Sequence, residues 1–198
     1  MDDGDRVLTI LEAHLVSVLG VDSGRAGVSF VGTDRVDVLR FGPGRDGVVR
    51  YVTLGMSRAP MAAAAAVTVD PDGPRAELVL TLLGRRDGAL NQLGVLACVP
   101  AVEGMVIAPG ARLELGVPLW PDAPFEAVVV GFPDPAVPGL DDPPVDLLPV
   151  LPVTPNELAW ARVHGTAALL DRWISDGTDL RDPARAAVDL RSPGERPG

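Results

Sequence analysis

Apolar positions recur along residues 5–19 at three- and four-residue intervals. Leu8, Leu11, Leu15 and Val18 fall on one side, with Glu12 and Ser17 off that stripe. The spacing predicts an amphipathic helix, and Gly20 supplies its C-terminal stop. His14 sits near the edge of the stripe, a place for a packed or half-exposed ring rather than a ligand.

Beyond Gly20 the period shortens. Val36–Phe41 alternates imperfectly, with Asp37 and Arg40 interrupting it, and Val48–Leu54 is a second extended run. Gly42-Pro43-Gly44-Arg45-Asp46-Gly47 between them is a strong turn signal, so the two runs predict a β-hairpin. The alanine run 62–66 favours helix intrinsically, but Val67-Thr68-Val69 and the turn at 70–74 tip the segment towards an extended one. Ala76–Leu83 is almost continuously apolar, the mark of a central strand covered on both faces.

Asp87 is placed to cap a short helix over Ala89–Val99, with Leu90, Leu93 and Ala97 on one face. Gly94 weakens that helix by about 1 kcal/mol relative to alanine. Phe125–Phe132 predicts another strand, residues 133–144 a proline-rich surface loop, and Val145–Val150 a last strand.

The closing helix has the clearest local signal. Thr154 is an N-cap, Pro155 fits the first helical position, and Glu157 completes a Thr-x-x-Glu capping box. Val153 and Leu158 are spaced as a hydrophobic staple, and the apolar set continues through Ala161, Ala168, Leu169 and Trp173. After Ile174 the chain turns polar and rich in breakers. The expectation is therefore one domain over residues 1–176 and a poorly ordered tail over 177–198.

Charge narrows the function classes. The chain has a net charge of −10, and all 17 of its basic residues are Arg. Nucleic-acid binding needs a clustered positive surface, so it is disfavoured, whereas attraction to a basic protein is permitted. The absence of Lys, with the wealth of Ala, Gly, Pro and Asp, reads as a GC-rich, prokaryotic coding bias. No stretch of 18 uninterrupted apolar residues points to a membrane span. The acidic start (Asp2, Asp3, Asp5) lacks the basic region of a secretory signal, so the expected location is cytoplasmic.

Candidate chemistry is sparse. Cys98 has no partner for a disulfide and lies in an apolar stretch, and with His14 and His164 it forms no metal-ligand spacing. Asp134, Asp141 and Asp142 sit among prolines in a solvated loop. Ser57 and Thr53 lack a histidine that the sequence brings near them. Glu77, on the predicted central strand, is a structural carboxylate by preference, with a catalytic role as the alternative. Trp120, in a proline-flanked loop, is the aromatic candidate for a partner-binding surface. No residue is assigned to a catalytic, cofactor or metal site.

Several of these segments resemble, in order, the suppressor of fused domain family. They are the N-terminal helix, Val36–Phe41, Tyr51-Val-Thr-Leu-Gly-Met-Ser57 and Ala76-Glu77-Leu78-Val79-Leu80. The strand 125–132, Leu151-Pro152-Val153-Thr154-Pro155-Asn156-Glu157-Leu158 and the closing helix with Leu169-Leu170 follow. Gly55, Met56, Ser57, Glu77, Thr154 and Glu157 are thereby scaffold positions. The resemblance implies an α+β single domain, a mixed, largely antiparallel sheet flanked by helices. It also implies a non-enzymatic protein-binding module without cofactor. Eukaryotic members bind a transcription factor, and bacterial members often look like immunity proteins that neutralise a toxin. The composition favours the toxin-neutralising role, with a transcription-factor regulator and a small hydrolase using Glu77 as the alternatives.

Overall fold

The computed structural model describes residues 2–190. Four α-helices and eight strands are present among them. The helices are α1 (Asp3–Leu19), α2 (Gly88–Val99), α3 (Pro155–His164) and α4 (Thr166–Asp176). The strands are β1 (Gly24–Val28), β2 (Val36–Phe41), β3 (Val48–Leu54), β4 (Ala76–Leu83), β5 (Arg112–Glu114), β6 (Ala127–Val130), β7 (Leu140–Asp141) and β8 (Pro144–Val153). The sheet runs β1-β2-β3-β4-β8-β6-β5, with β7 paired to β8 off this path. Every pairing is antiparallel except β4 with β8, which makes the sheet mixed and the domain α+β.

The hairpin β2–β3 turns at the Gly-rich loop, and β4 lies at the centre of the sheet. Because strand side chains alternate between faces, the sheet carries two cores. On one face α2 packs Leu93, Leu96 and Ala97 against Val38, Tyr51, Leu78, Leu80, Val128 and Val150. Gly94 permits this approach, since a Cβ there would lie 2.6 Å from Val28 Cγ2. On the other face α1 inserts Val7, Leu11 and Leu15 over Leu39, Val52, Val79 and Leu147. Here the apolar stripe is rotated from the expected one: Leu8 is only partly buried and Val18 is exposed. Farther along that face, α3 and α4 bury Leu158, Ala161, Leu169 and Trp173 against Ala127, Val129 and Val153.

The structure corrects several other expectations. Residues 62–69 form an exposed loop rather than an extended strand, because no neighbouring strand pairs with them. Asp87 makes no capping hydrogen bond to α2; its carboxylate instead joins Arg40 and Arg85. The closing helix is two helices, separated at Gly165 (φ +90°). Residues 177–190, expected to open a poorly ordered tail, are docked on the body. Val188 and Arg185 are buried, and the Leu83 N–H donates to the Arg181 carbonyl at 2.8 Å. Residues 191–198 of that expected tail lie outside the described residues. No helix among the described residues is long and apolar enough to cross a membrane.

Candidate functional site

Two buried carboxylates organise the domain. Glu77 projects from β4 beneath the end of β3 and is fully buried. Its Oε1 accepts from Gly55 N (2.8 Å), Ser57 N (2.9 Å) and Ser57 Oγ (2.6 Å). Its Oε2 accepts from Thr53 Oγ1 at 2.6 Å and, more distantly, from Met56 N at 3.3 Å. The single 3₁₀ turn Met56–Arg58 is thus held by side-chain bonds in place of a sheet ladder, satisfying backbone donors that would otherwise be buried unpaired. Gly55 enters this turn at φ +146°, where a Cβ would meet Arg35 O and Val36 Cα at 2.8 Å. Met56 packs into the core, and Arg75 caps the turn by donating to the carbonyls of Ser57 and Arg58. With its oxygens occupied and no exposed surface, Glu77 has no approach for a substrate, which removes the geometric basis of a Glu77 hydrolase.

Glu157 is the second. Thr154 N donates to its Oε2, and Thr154 Oγ1 accepts from Glu157 N, closing the capping box. Trp173 Nε1 (2.9 Å) and Val188 N (3.1 Å) donate to Oε1. Arg185 completes the shell with Nη1 on Oε1 at 2.8 Å and Nη2 on Oε2 at 2.9 Å. The guanidinium lies between the rings of Phe125 and Trp173, 4.9 and 5.1 Å from their centroids. Burial alone pushes the Glu157 carboxyl up. The bonds from Arg185, Thr154, Trp173 and Val188 outweigh it and hold the group below the usual carboxylate range.

The exposed chemistry lies at one end of the sheet, where β2 and β4 begin. The loops 29–35 and 59–75, the turn after α2 and the start of α1 meet there, joined by Arg58 with Asp5 and Asp34, Arg75 with Asp3, and Ala64 N on Gly104 O. Phe30, Val31, Val67, Val69 and Val102 are exposed on these segments. Among them stand Asp2, Asp70, Asp72 and Glu103, all exposed and free of ion pairs among the described residues. This end is acidic and studded with apolar side chains.

A family model for suppressor of fused protein (SUFU) matches residues 32–186. The chain belongs to the suppressor of fused family. The SUFU match runs just past Arg185 and ends at 186, two residues before Val188, so most of the docked segment 177–190 falls within it. Solved SUFU structures share the fold. A SUFU homolog from Neisseria gonorrhoeae FA 1090 superposes with a TM-score of 0.72 at 16% identity, over 95% of this chain and 100% of that one. A chain of the Sufu–Fu complex gives 0.64 at 14% identity, over 92% and 91%. Drosophila Suppressor of Fused gives 0.59 at 15% identity over 93% of this chain and 51% of its own, so this chain spans about half of the Drosophila protein. No curated protein matches the sequence.

Within this SUFU domain the sequence-selected residues separate into two buried centres. Gly55, Met56 and Ser57 gather on Glu77, and Thr154 on Glu157. Trp120 belongs to neither. It is 5% exposed and packs edge-on against Phe125 at 5.7 Å, so the loop hides the ring that a partner-binding role requires. Ser57 Oγ donates to Glu77, whereas the exposed His164 stacks on Trp160, so they form no catalytic pair. His14 bonds the Pro138 carbonyl. Cys98 is buried, and burial pushes its thiol up, away from the reactive thiolate. Asp134 closes its own turn onto Ala136 N. Among the described residues no cluster of three His, Cys, Asp or Glu could hold a metal ion.

Arg40, Arg185 and the apolar acidic end are the residues that sequence reasoning missed. Arg40 is buried and pairs with Asp87 at 2.6 Å. Its position inside a hydrophobic strand was the available signal. For Arg185 the signal was the apolar set Leu180, Val188 and Leu190 surrounding it.

Proposed function

We propose that this chain is a non-enzymatic binding protein of the bacterial cytoplasm that neutralises a basic toxin domain by covering it with the acidic, apolar end of its sheet. The observation that carries this reading is the juxtaposition of Asp2, Asp70, Asp72 and Glu103 with exposed Phe30, Val31, Val67, Val69 and Val102. Interfaces combine apolar anchors with complementary charge, and the charge acts mainly on the rate of encounter. Family membership adds support: a relative is known from a complex with a protein partner, Fu. The net charge of −10 acts in the same direction for any basic partner.

The test is to mix the full chain with the product of the adjacent gene and measure binding by calorimetry at low and high salt. A stoichiometric complex that weakens with salt, together with protection of cells expressing that product, is the expected result. Neutralising Asp70, Asp72 and Glu103 together by D70N, D72N and E103Q slows association and flattens the salt dependence. Absence of both complex and protection overturns the reading. A complex formed instead with a DNA-binding protein assigns the chain to transcriptional regulation.

A further inference from the structure

The sheet face that carries α1 is left open between α1 and the α3–α4 pair. Alternation brings Val48 and Arg50 of β3, Val79 and Thr81 of β4, and Pro149 and Leu151 of β8 to the floor of this gap. Asp46 of the hairpin loop, Asp134 and the segment Leu180–Arg181 wall it into a cleft of about 290 Å³. It lies towards the end of the sheet opposite the acidic loops.

Arg50 is the unusual group here. It is half-buried, and its side chain makes no hydrogen bond or ion pair among the described residues; its Nε has neither solvent nor partner. The other charges around the cleft are engaged. Asp46 Oδ1 accepts from Val48 N, Asp134 Oδ1 from Ala136 N, and Arg181 pairs with Asp179. Thr81 stands directly opposite Arg50 in the β3–β4 register, and its hydroxyl likewise has no partner among the described residues. The Nε–H is thus withdrawn from water without a partner, and no carboxylate among the described residues lies within ion-pair distance of the guanidinium.

We propose that the cleft is a binding site for a short-chain monocarboxylic acid, whose carboxylate takes the Arg50 guanidinium and the Thr81 hydroxyl while its aliphatic body rests on Val79, Pro149 and Leu151. The planar guanidinium fork suits a carboxylate, and the hydroxyl adds a neutral donor. With Asp46 and Asp134 on the rim, a singly charged anion is favoured over a phosphate dianion. The volume lies at the small end of ligand sites, in keeping with a ligand of few carbons.

The experiment is a methyl and amide NMR titration of the full chain with butyrate, with butyramide as the neutral analogue and inorganic phosphate as the competing anion. Butyrate is expected to produce saturable shifts at Val79, Thr81 and Leu151, and butyramide none. The Arg50→Met variant, which breaks no existing bond, should retain the dispersed spectrum and bind butyrate about tenfold more weakly or worse. Thr81→Val should weaken binding by a smaller factor, and it serves alone if Arg50→Met does not fold. Absence of saturable butyrate shifts, equal binding of butyramide, tighter binding of phosphate, or affinity unchanged in both variants overturns the proposal.

Discussion

Arg185 and Glu157, 28 positions apart, meet through two parallel hydrogen bonds inside the protein. The carboxylate is wholly buried and the guanidinium nearly so. One residue belongs to the first turn of α3 and the other to the C-terminal segment, so the pair fastens that segment to α3. Arg185 Nη2 also donates to the Pro152 carbonyl of β8 at 2.7 Å. Buried pairs of this kind contribute little relative to apolar residues, yet removing one partner strands the other.

Replacing Arg185 with alanine should therefore cost about 3–5 kcal/mol, because Glu157 would remain buried without its counter-charge. Urea unfolding of the variant measures this directly. Increased hydrogen exchange at Val188 N should accompany the loss, since that amide donates to the same carboxylate. A cost below about 1 kcal/mol would contradict the two-point pairing.

Acid should weaken the fold through the same group. Glu157 titrates lower in the folded protein than in the unfolded chain, where it is near 4.5. Its contribution is complete above that unfolded value and is lost as the pH falls through the folded one. Asp87 and Asp179 are shifted in the same sense by Arg85 and Arg181, but they are exposed and solvent screens them. Unfolding curves taken between neutral and acidic pH should thus fall more steeply for the native protein than for Glu157→Gln. Parallel curves would assign the acid sensitivity elsewhere.

Glu77→Ala should remove the acceptor for Gly55, Ser57 and Thr53 together. Bonds to a carboxylate are worth about 1.5–3 kcal/mol each, and the freed donors are buried, so a loss of 3 kcal/mol or about that is a lower bound. Amide exchange at Gly55 and Ser57 should rise first, ahead of global unfolding.

Gly55→Ala probes the backbone of the same turn. The φ of +146° costs a side chain about 1–3 kcal/mol, and the Cβ would also press on Arg35 O and Val36 Cα. A fall in melting temperature is expected. An unchanged melting temperature would show that the turn relaxes to another geometry.

The legible parts of the sequence were those whose signals are local. The Thr154–Glu157 box, the Gly-rich hairpin loop and the unbroken apolar run of β4 each declare themselves within a few residues. The strand β1 was missed because Gly24-Arg25-Ala26-Gly27-Val28 offers almost no apolar alternation, and it holds an edge position through its ladder with β2. The strand β8 runs through Pro149 and on past the expected end at Val150 to Val153, although both Pro149 and Pro152 argue against a central strand. The structure tolerates them by a handover: residues 146–149 pair with β4 and residues 150–153 with β6. The Arg185 anchor is hard to read for another reason, despite its apolar neighbours Leu180, Val188 and Leu190. A charged residue in a breaker-rich segment looks solvated until the distant carboxylate and rings that desolvate it are known.

The single parallel pairing has a consequence for how the protein is made. Ala76 of β4 lies beside Asp146 of β8, so the strand at the middle of the sheet waits for about seventy further residues before its second neighbour exists. A ribosome-bound chain that has emerged only through α2 presents β4 as a long apolar border with unsatisfied amides, open to any passing strand. The newborn chain is therefore most vulnerable to misassociation in the interval between the translation of β4 and that of β8, and slowing synthesis across residues 84–143 would lengthen that exposure.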